Sequence, residues 1–307
     1  MRCLVTGGAG FIGSNVVDAL VARGDEVRVL DDLSTGRRDN VHPSARLIEA
    51  SISDEQAVRA AVDGCDVVFH QAAHRAVLRS VEDPLATDTA NVHGTLTVLH
   101  AAQQAGTRRV VYASSSSVYG GAAIRPTPES APLLPRSPYA VTKLTGEHYC
   151  RVFSELHGLE TIALRYFNVF GPRQRPDSMY AAVIPLFIDA IRTGDPPLVH
   201  GDGEQSRDFT FIGDVVAANL AAAASDASRT SGKAYNIACG GEHSLLELLD
   251  HLGAILGRHV EPRHVEPRAG DVRHSRADVT AATRDLGWVA ATGFRAGLER
   301  TVDYLLH

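Results

Sequence analysis

The chain has 307 residues, 44% hydrophobic and 21% charged, and its 30 basic against 36 acidic side chains leave a formal charge of −6. This is enough chain for one large or two modest domains around a buried core, which excludes a disordered segment, a disulfide-stapled miniature and a collagen-like repeat. The acidic balance argues against general affinity for nucleic acid or for an anionic membrane, although a local arginine cluster can still hold a small anion. Four scattered cysteines (Cys3, Cys65, Cys150 and Cys239), with no CxxC spacing, are expected to be reduced thiols of a reducing compartment. The N-terminus enters a strand directly rather than following the basic-then-apolar plan of a signal peptide. The longest small-apolar run, Ala217–Ala224, is interrupted by Asn219 and is too short to span a bilayer. A cytoplasmic globular protein is expected.

In chain order, short runs rich in Val, Ile and Leu mark strands at Arg2–Thr6, Glu26–Asp31, Ala45–Ala50, Asp66–His70, Arg109–Ser114 and Thr161–Phe167. Between them lie helical patterns at Ser14–Arg23, Asp54–Val62, Thr89–Gln104 and Pro138–His157, each followed closely by a glycine that can take a left-handed stop. Regular alternation of this kind predicts an α/β fold, a doubly wound parallel sheet of Rossmann type with helices on both faces. After Gly171 five prolines break the pattern as far as Gly203, leaving one helix near Ala182–Arg192, and amphipathic helices return at Ser244–Leu256 and Phe294–Leu306. The expected organisation is a nucleotide domain over residues 1–168, with about 209–238 returning to it. A smaller, discontinuous α/β substrate lobe takes 169–208 plus 239–307.

The strongest motif is Thr6-Gly7-Gly8-Ala9-Gly10-Phe11-Ile12-Gly13, between the first strand and the first helix. Gly7, Gly10 and Gly13 permit a tight turn, close approach of a pyrophosphate to backbone amides, and close helix–sheet packing, with the helix N-terminus facing the anion. Asp31 ends the second strand 18 residues beyond Gly13, where a carboxylate accepts hydrogen bonds from the adenosine ribose and repels a 2′-phosphate. The cofactor expected is therefore NAD rather than NADP, with Arg37 and Arg38 read as solvated loop charges. Tyr139 and Lys143 stand four apart on a helix and so share a face, which lets both enter one cleft. A neighbouring ammonium and a nicotinamide cation would lower the phenol from its ordinary value near 10. The serine run Ser114–Ser117 ends the fifth strand and offers a hydroxyl to the same substrate oxygen. No metal is expected, because His70 ends a strand and does not share a helix face with His74, and no Cys or carboxylate cluster completes a site.

With these residues the chain resembles the extended short-chain dehydrogenase/reductase superfamily, and within it the nucleotide-sugar 4-epimerases. The likeness rests on the glycine turn, His70-Gln71-Ala72-Ala73, Asn91, the Ser-Val-Tyr-Gly segment ending at Gly120, Tyr139/Lys143 and Arg165-Tyr166-Phe167-Asn168-Val169-Phe170-Gly171. It implies Ser115, Tyr139 and Lys143 as the catalytic set. It implies cofactor contacts from Gly7, Gly10, Phe11, Ile12, Gly13, Asp31, Asp32, Ser34, Ser51, Ile52, Gln71, Ala72, Ala73, Asn91 and Tyr166, besides Tyr139 and Lys143. Ser51-Ile52 replaces the Asp-hydrophobic pair that often contacts adenine. For the nucleotide sugar it implies Asn168, Val183, His200, Arg207, Arg268, Asp271 and Ser275. Arg207 and Arg268 lie in glycine-rich, loop-like surroundings suited to gripping phosphates.

The reaction so implied is inversion at C4 through a transient 4-keto sugar, with Tyr139 moving the C4 hydroxyl proton and NAD staying bound. The related 4,6-dehydratases carry Asp-Glu, and the UDP-glucuronate decarboxylases usually Glu, where this chain has Ser116 and Ser117, so elimination is not expected. An NAD(P)-dependent reductase and a non-catalytic dinucleotide sensor are the readings from other classes; the retained Tyr–Lys pair argues against the sensor. Pro172-Arg173-Gln174-Arg175-Pro176-Asp177 resembles the loop of UDP-glucuronate 4-epimerases, and Ser116, Ser117 and Arg175 can hold a C6 carboxylate. UDP-glucuronate is therefore the expected UDP-sugar, with UDP-glucose or UDP-N-acetylglucosamine as the alternative, since Asn168 and Tyr180-Ala-Ala-Val-Ile-Pro185 fit those epimerases equally. A homodimer paired through Thr89–Gln104 and Pro138–His157 is expected.

Overall fold

The structure is a computed structural model that describes residues 1–75, 77–175, 182–267 and 272–306. Seven parallel strands form its sheet: β1 (Arg2–Thr6), β2 (Glu26–Asp31), β3 (Arg46–Glu49), β4 (Val67–His70), β5 (Arg109–Ser115), β6 (Glu160–Tyr166) and β7 (Lys233–Ile237). Their order is β7-β6-β5-β4-β1-β2-β3. Chain order reverses beside β1, which pairs with β2 on one side and β4 on the other, so a crevice opens at the carboxyl ends of β1 and β4.

The strands are apolar on both faces because each face carries its own core. Cys3 and Val5, Val67 and Phe69, Val111 and Ala113 point into one cluster; Leu4, Val68, Val110 and Tyr112 point into the other. Helix α1 (Phe11–Ala22) covers the first face; α2 (Glu55–Val62), α3 (Gly94–Gln104) and α4 (Pro138–His157) cover the second. Asp54 caps α2 through the amides of Gln56 and Ala57, at 3.0 and 3.1 Å. Ser137 caps α4, Pro138 opens it, and Gly158 closes it at φ 68°.

The six predicted strands lie within one residue of the observed ones. The first helix starts at Phe11, three residues before the predicted Ser14, because Gly10 already acts as its N-cap. The helix predicted from Thr89 opens with a π turn, Thr89–His93, before α3. Two short helices that apolar spacing does not announce, Val77–Glu82 and Pro84–Asp88, fill the stretch before it. β7 is hidden in the sequence because Asn236 interrupts its apolar run. In the fold that side chain is buried and satisfied: its amide donates to Thr127 O and Asp278 O, and its oxygen accepts from Tyr119.

Four later helices, α5 (Val183–Thr193), α6 (Ile212–Ala224), α7 (Leu245–Leu256) and α8 (Phe294–Leu306), add to the apolar cluster of the first face. α6 lies against the sheet beside α1, while Ile184, Phe187, Leu248 and Leu298 from the other three join the same apolar cluster. A capping box between Ser244 and Glu247 starts α7. The loops of this second region are stitched by Asp208, whose buried carboxylate accepts the amides of Cys239, Gly240 and Ala277 at 3.0–3.1 Å. Burial pushes this carboxyl up to about 7 against the pull of those three donors.

Candidate active site

The crevice at the strand ends is a cleft of about 420 Å³. Its floor is the glycine turn. Gly7 has φ 69°, and a Cβ there would stand 2.6 Å from Ala72 N; a Cβ on Gly13 would collide with the Gly7 carbonyl. A single methyl would thus close the gap between turn, helix and the β4 loop. Asp31 accepts from Ala9 N and Leu33 N, both at 2.9 Å, so it braces the turn while lining the cleft. Its carboxyl is raised by burial and pulled back by those amides.

Phe11, Ile12, Asp32, Ser34, Ser51, Ile52, Gln71, Ala72, Ala73 and Tyr166 also line this cleft. Tyr166 OH accepts from Asn219 Nδ2 at 2.9 Å and from Gln71 Nε2 at 3.2 Å, which fixes both residues beside the cleft. Asn91 stands elsewhere. It is buried behind the wall and clamps His74 through both backbone groups, at 2.8 and 3.0 Å, so its place is to hold the loop after β4. His70 is buried between Thr6 (2.7 Å) and Thr95 (2.9 Å), and desolvation lowers it to about 3, so it is a neutral tie within the sheet. Among the described residues no cluster of three or more His, Cys, Asp or Glu side chains could hold a metal ion, and no helix is long and apolar enough to cross a membrane.

At the other end of the cleft stand Ser115, Ser116, Ser117, Tyr139 and Lys143. Ser115 ends β5, and its Oγ accepts from Ser117 N at 3.2 Å, turning the chain so that all three serines face the cleft. Ser117 Oγ is buried and meets no protein partner. Tyr139 and Lys143 project from successive turns of α4. The Lys143 ammonium donates to Ala113 O at 2.8 Å and lies 5.9 Å from the centre of the Tyr139 ring. Burial lowers Lys143 to about 7. Burial raises Tyr139, and the groups that pull it back are the Ser115 hydrogen bond and the positive charge of Arg75. The Lys143 ammonium thus stands beside the phenol while held by a backbone carbonyl, and Arg75 is a second cation acting on the phenol, which the spacing of Tyr139 and Lys143 does not announce. Below them, Glu147 holds Arg165 at 2.7 Å and accepts from Ser114 Oγ.

Beyond Asn168 the cleft opens into a second cavity of about 840 Å³ in the smaller lobe. Asn168, Val169, Gln174 and Ala182 line both, so the two spaces adjoin. Val183, His200 and Arg207 line the second cavity, and Arg175 lines the first. His200 is tethered by Nδ1 to Glu266 O at 2.9 Å, and Arg207 Nη1 donates to Ser206 O at 2.9 Å. Ser275 lines neither space; it runs beside Ser206, its amide donating to Ser206 O at 3.1 Å. Arg268, Asp271, the end of the Pro172–Asp177 loop and the first two positions of the Tyr180–Pro185 segment lie outside the described residues.

Two cationic residues of the cleft escape sequence reasoning, Arg75 and Arg173. Arg75 directly follows the His70–His74 loop at a strand's carboxyl end, a position that doubly wound sheets use for ligands. Arg173 lies in the loop quoted for its neighbour Arg175. Its Nη1 is buried without a protein partner, and the residue lines the same cleft as the glycine turn. That orphaned donor and the methyl-sized cradle at Gly7 and Gly13 both fit the diphosphate of a dinucleotide.

The profile of the NAD dependent epimerase/dehydratase family matches residues 3–238. A UDP-glucose 4-epimerase of Mycolicibacterium smegmatis is 40% identical over 311 residues, covering 99% of this chain and 98% of that protein. Among solved structures, a UDP-N-acetylglucosamine 4-epimerase from Methanobrevibacter ruminantium, in complex with UDP-N-acetylmuramic acid, superposes with TM-score 0.95 at 37% identity, over 99% of this chain and 98% of that one. A UDP-glucuronic acid 4-epimerase mutant from Bacillus cereus, in complex with UDP-4-deoxy-4-fluoro-glucuronic acid and NAD, gives 0.92 at 30% identity, over 100% and 99%.

Proposed function

The chain belongs to the NAD-dependent epimerase/dehydratase family and is an NAD-dependent nucleotide-sugar 4-epimerase, and from that premise we propose that it inverts C4 of neutral UDP-hexoses, UDP-glucose first and UDP-N-acetylglucosamine second. The observation that carries this is a pair of adjoining cavities, one lined by the glycine turn, Asp31, Tyr139 and Lys143 and the other by Val183, His200 and Arg207, with Asn168 lining both. The choice of sugar departs from the uronate expected from the Arg175 loop. Its support is that relatives acting on glucose and N-acetylglucosamine are 37–40% identical, and the glucuronate enzyme 30%. A motif of a few residues is weaker evidence of substrate than similarity along the whole chain.

NAD held by the glycine turn and Asp31 supplies a hydride acceptor and donor at C4. Tyr139 is placed to take the proton of the C4 hydroxyl and to return it to the same oxygen. Ser115, whose hydroxyl pulls the Tyr139 phenol down, lines the same cleft and offers that oxygen a hydrogen bond. Lys143 and Arg75 supply positive charge around the phenol while it is ionised. Ser116 and Ser117 offer hydroxyls and no carboxylate to remove a C5 proton, which favours epimerisation over dehydration.

The second reading is UDP-glucuronate, and one observation favours it: Arg75 and Arg175 line the same end of the cleft as the three serines, a cationic setting suited to a C6 carboxylate. Proton NMR of the purified protein with each of the three UDP-sugars, without added cofactor, decides between them. We expect C4 inversion of UDP-glucose or UDP-N-acetylglucosamine. Turnover of UDP-glucuronate alone would replace the first reading by the second, and formation of UDP-xylose would replace epimerisation by decarboxylation.

We also propose a homodimer. Val141, Val152 and Leu156 form an exposed apolar stripe on α4, with Leu156 73% exposed. Their spacings of 11 and 15 residues keep them on one helix face. Leu78, Val81 and Leu85 lie exposed on the short helices packed against α4. Light scattering should report a dimer, and Val152→Glu combined with Leu156→Glu should yield a monomer; a monomeric wild-type protein would rule the dimer out.

A further inference from the structure

Arg173 stands in the segment that leaves the sheet for the second lobe, and it is held in an unusual way. Its backbone is left-handed, with φ 70°. The turn around it is fastened on both sides: Gln174 N donates to Gly171 O at 3.2 Å, Gln174 Nε2 to Val169 O at 3.0 Å, and Asn15 Nδ2 of α1 to Pro172 O at 3.4 Å. The side chain reaches back 155 positions in sequence to Asp18, also on α1, at 2.7 Å, and is 22% exposed. The pair is incomplete. Arg173 Nη1 and Asp18 Oδ1 are both buried and have no protein partner.

Buried guanidinium donors are ordinarily satisfied, so an open one points to a missing acceptor. Arg173 lines the same cleft as Gly10–Gly13, where the first turn of α1 presents backbone amides to an anion. We propose that Arg173 is a clasp on the cofactor: Asp18 holds one edge of the guanidinium, and the other edge donates to the dinucleotide diphosphate. The pair carries little net charge, so the contact is a directed hydrogen bond more than a surplus of positive field. Because the same turn also leads to Asn168 and Arg175, the clasp ties the first helix, the cofactor and the entry to the second lobe together. An enzyme that must oxidise and then reduce one sugar with the same nucleotide gains from such retention. The inference rests on NAD as the cofactor and not on which sugar is turned over.

The test measures bound nucleotide, not turnover. Wild type, Arg173→Gln, Arg173→Lys and Asp18→Asn are purified identically. NAD per protomer is assayed after acid extraction, and the dissociation rate is followed by gel filtration after dilution. The wild type should retain NAD. Arg173→Gln should lose it about tenfold faster or more, the effect of one charge-assisted hydrogen bond. Arg173→Lys, which keeps the charge but not the fork, should fall between them, and so should Asp18→Asn, which loosens the fork. Melting of the nucleotide-free forms separates a purely structural pair: that case lowers the melting temperature of Arg173→Gln and Asp18→Asn alike and leaves NAD retention unchanged. Retention by Arg173→Gln and Arg173→Lys at the wild-type rate would overturn the clasp. A wild-type protein that neither holds nor takes up NAD would overturn it too, through its cofactor premise, whereas an unexpected sugar in the NMR experiment would leave it standing.

Discussion

Tyr139→Phe should lower kcat by about 10²–10⁴-fold while leaving bound NAD and the fold unchanged. Phenylalanine preserves the ring that packs between Lys143 and the cleft wall, so the change is confined to one hydroxyl. That hydroxyl shares the cleft with Ser115, whose side chain pulls the phenol down. Tyr166, the other phenol in the wall, is committed to Asn219 and Gln71, and burial lifts it to about 12. It cannot substitute as a base. The measurement is kcat with UDP-glucose beside the NAD content of both proteins. Activity within threefold of wild type would remove Tyr139 from proton transfer.

The largest expected loss of stability comes from Arg165→Met, about 3–5 kcal/mol. Arg165 and Glu147 are almost fully buried, with Nη2–Oε2 at 2.7 Å and Nε–Oε1 at 2.9 Å. Arg165 also donates to Tyr119 OH at 2.7 Å and to Glu129 O at 3.2 Å. Methionine removes every one of these donors and strands the Glu147 carboxylate in a dry interior. Pairing the change with Glu147→Leu removes the stranded charge, and the double variant should recover part of the loss. Urea unfolding of the nucleotide-free proteins reads both values. A loss below about 1 kcal/mol for Arg165→Met would mean that Glu147 finds water or another donor. The pair also lies one turn of α4 beyond Lys143 and touches Ser114, so the same variant should disturb Ser115 and Tyr139 from below.

What could be read along the chain is what depends on near neighbours. Six of the seven strands follow from short runs rich in Val, Ile and Leu, because a strand covered by helices on both faces is largely apolar. The strand–turn–helix unit at Gly7–Gly13 follows from glycine spacing, and the shared face of Tyr139 and Lys143 from the helical repeat. The seventh strand was hidden because its central Asn236 is satisfied only by Thr127, Asp278 and Tyr119, all more than 40 residues away.

The site shows the same division. Local spacing places Tyr139 and Lys143 side by side, but whether the ammonium faces the phenol depends on Ala113 O, contributed by β5. Asn91 belongs to a recognisable motif, yet its work is to clamp His74, which no spacing rule reveals. Arg75 has no distinguishing neighbour in sequence, and Arg173 becomes noticeable only when Asp18 is found beside it with one donor left over. The sugar is open to two readings for a related reason: Arg175 stands in a motif of a few residues, while the shape of a sugar pocket is set jointly by residues from both lobes. The sequence by itself determined the fold class and the nucleotide turn and offered the candidates for moving a proton, since these rest on backbone geometry over a few positions. Only the tertiary structure decided which charge acts on which group, because that depends on side chains brought into one low-dielectric cleft from distant parts of the chain.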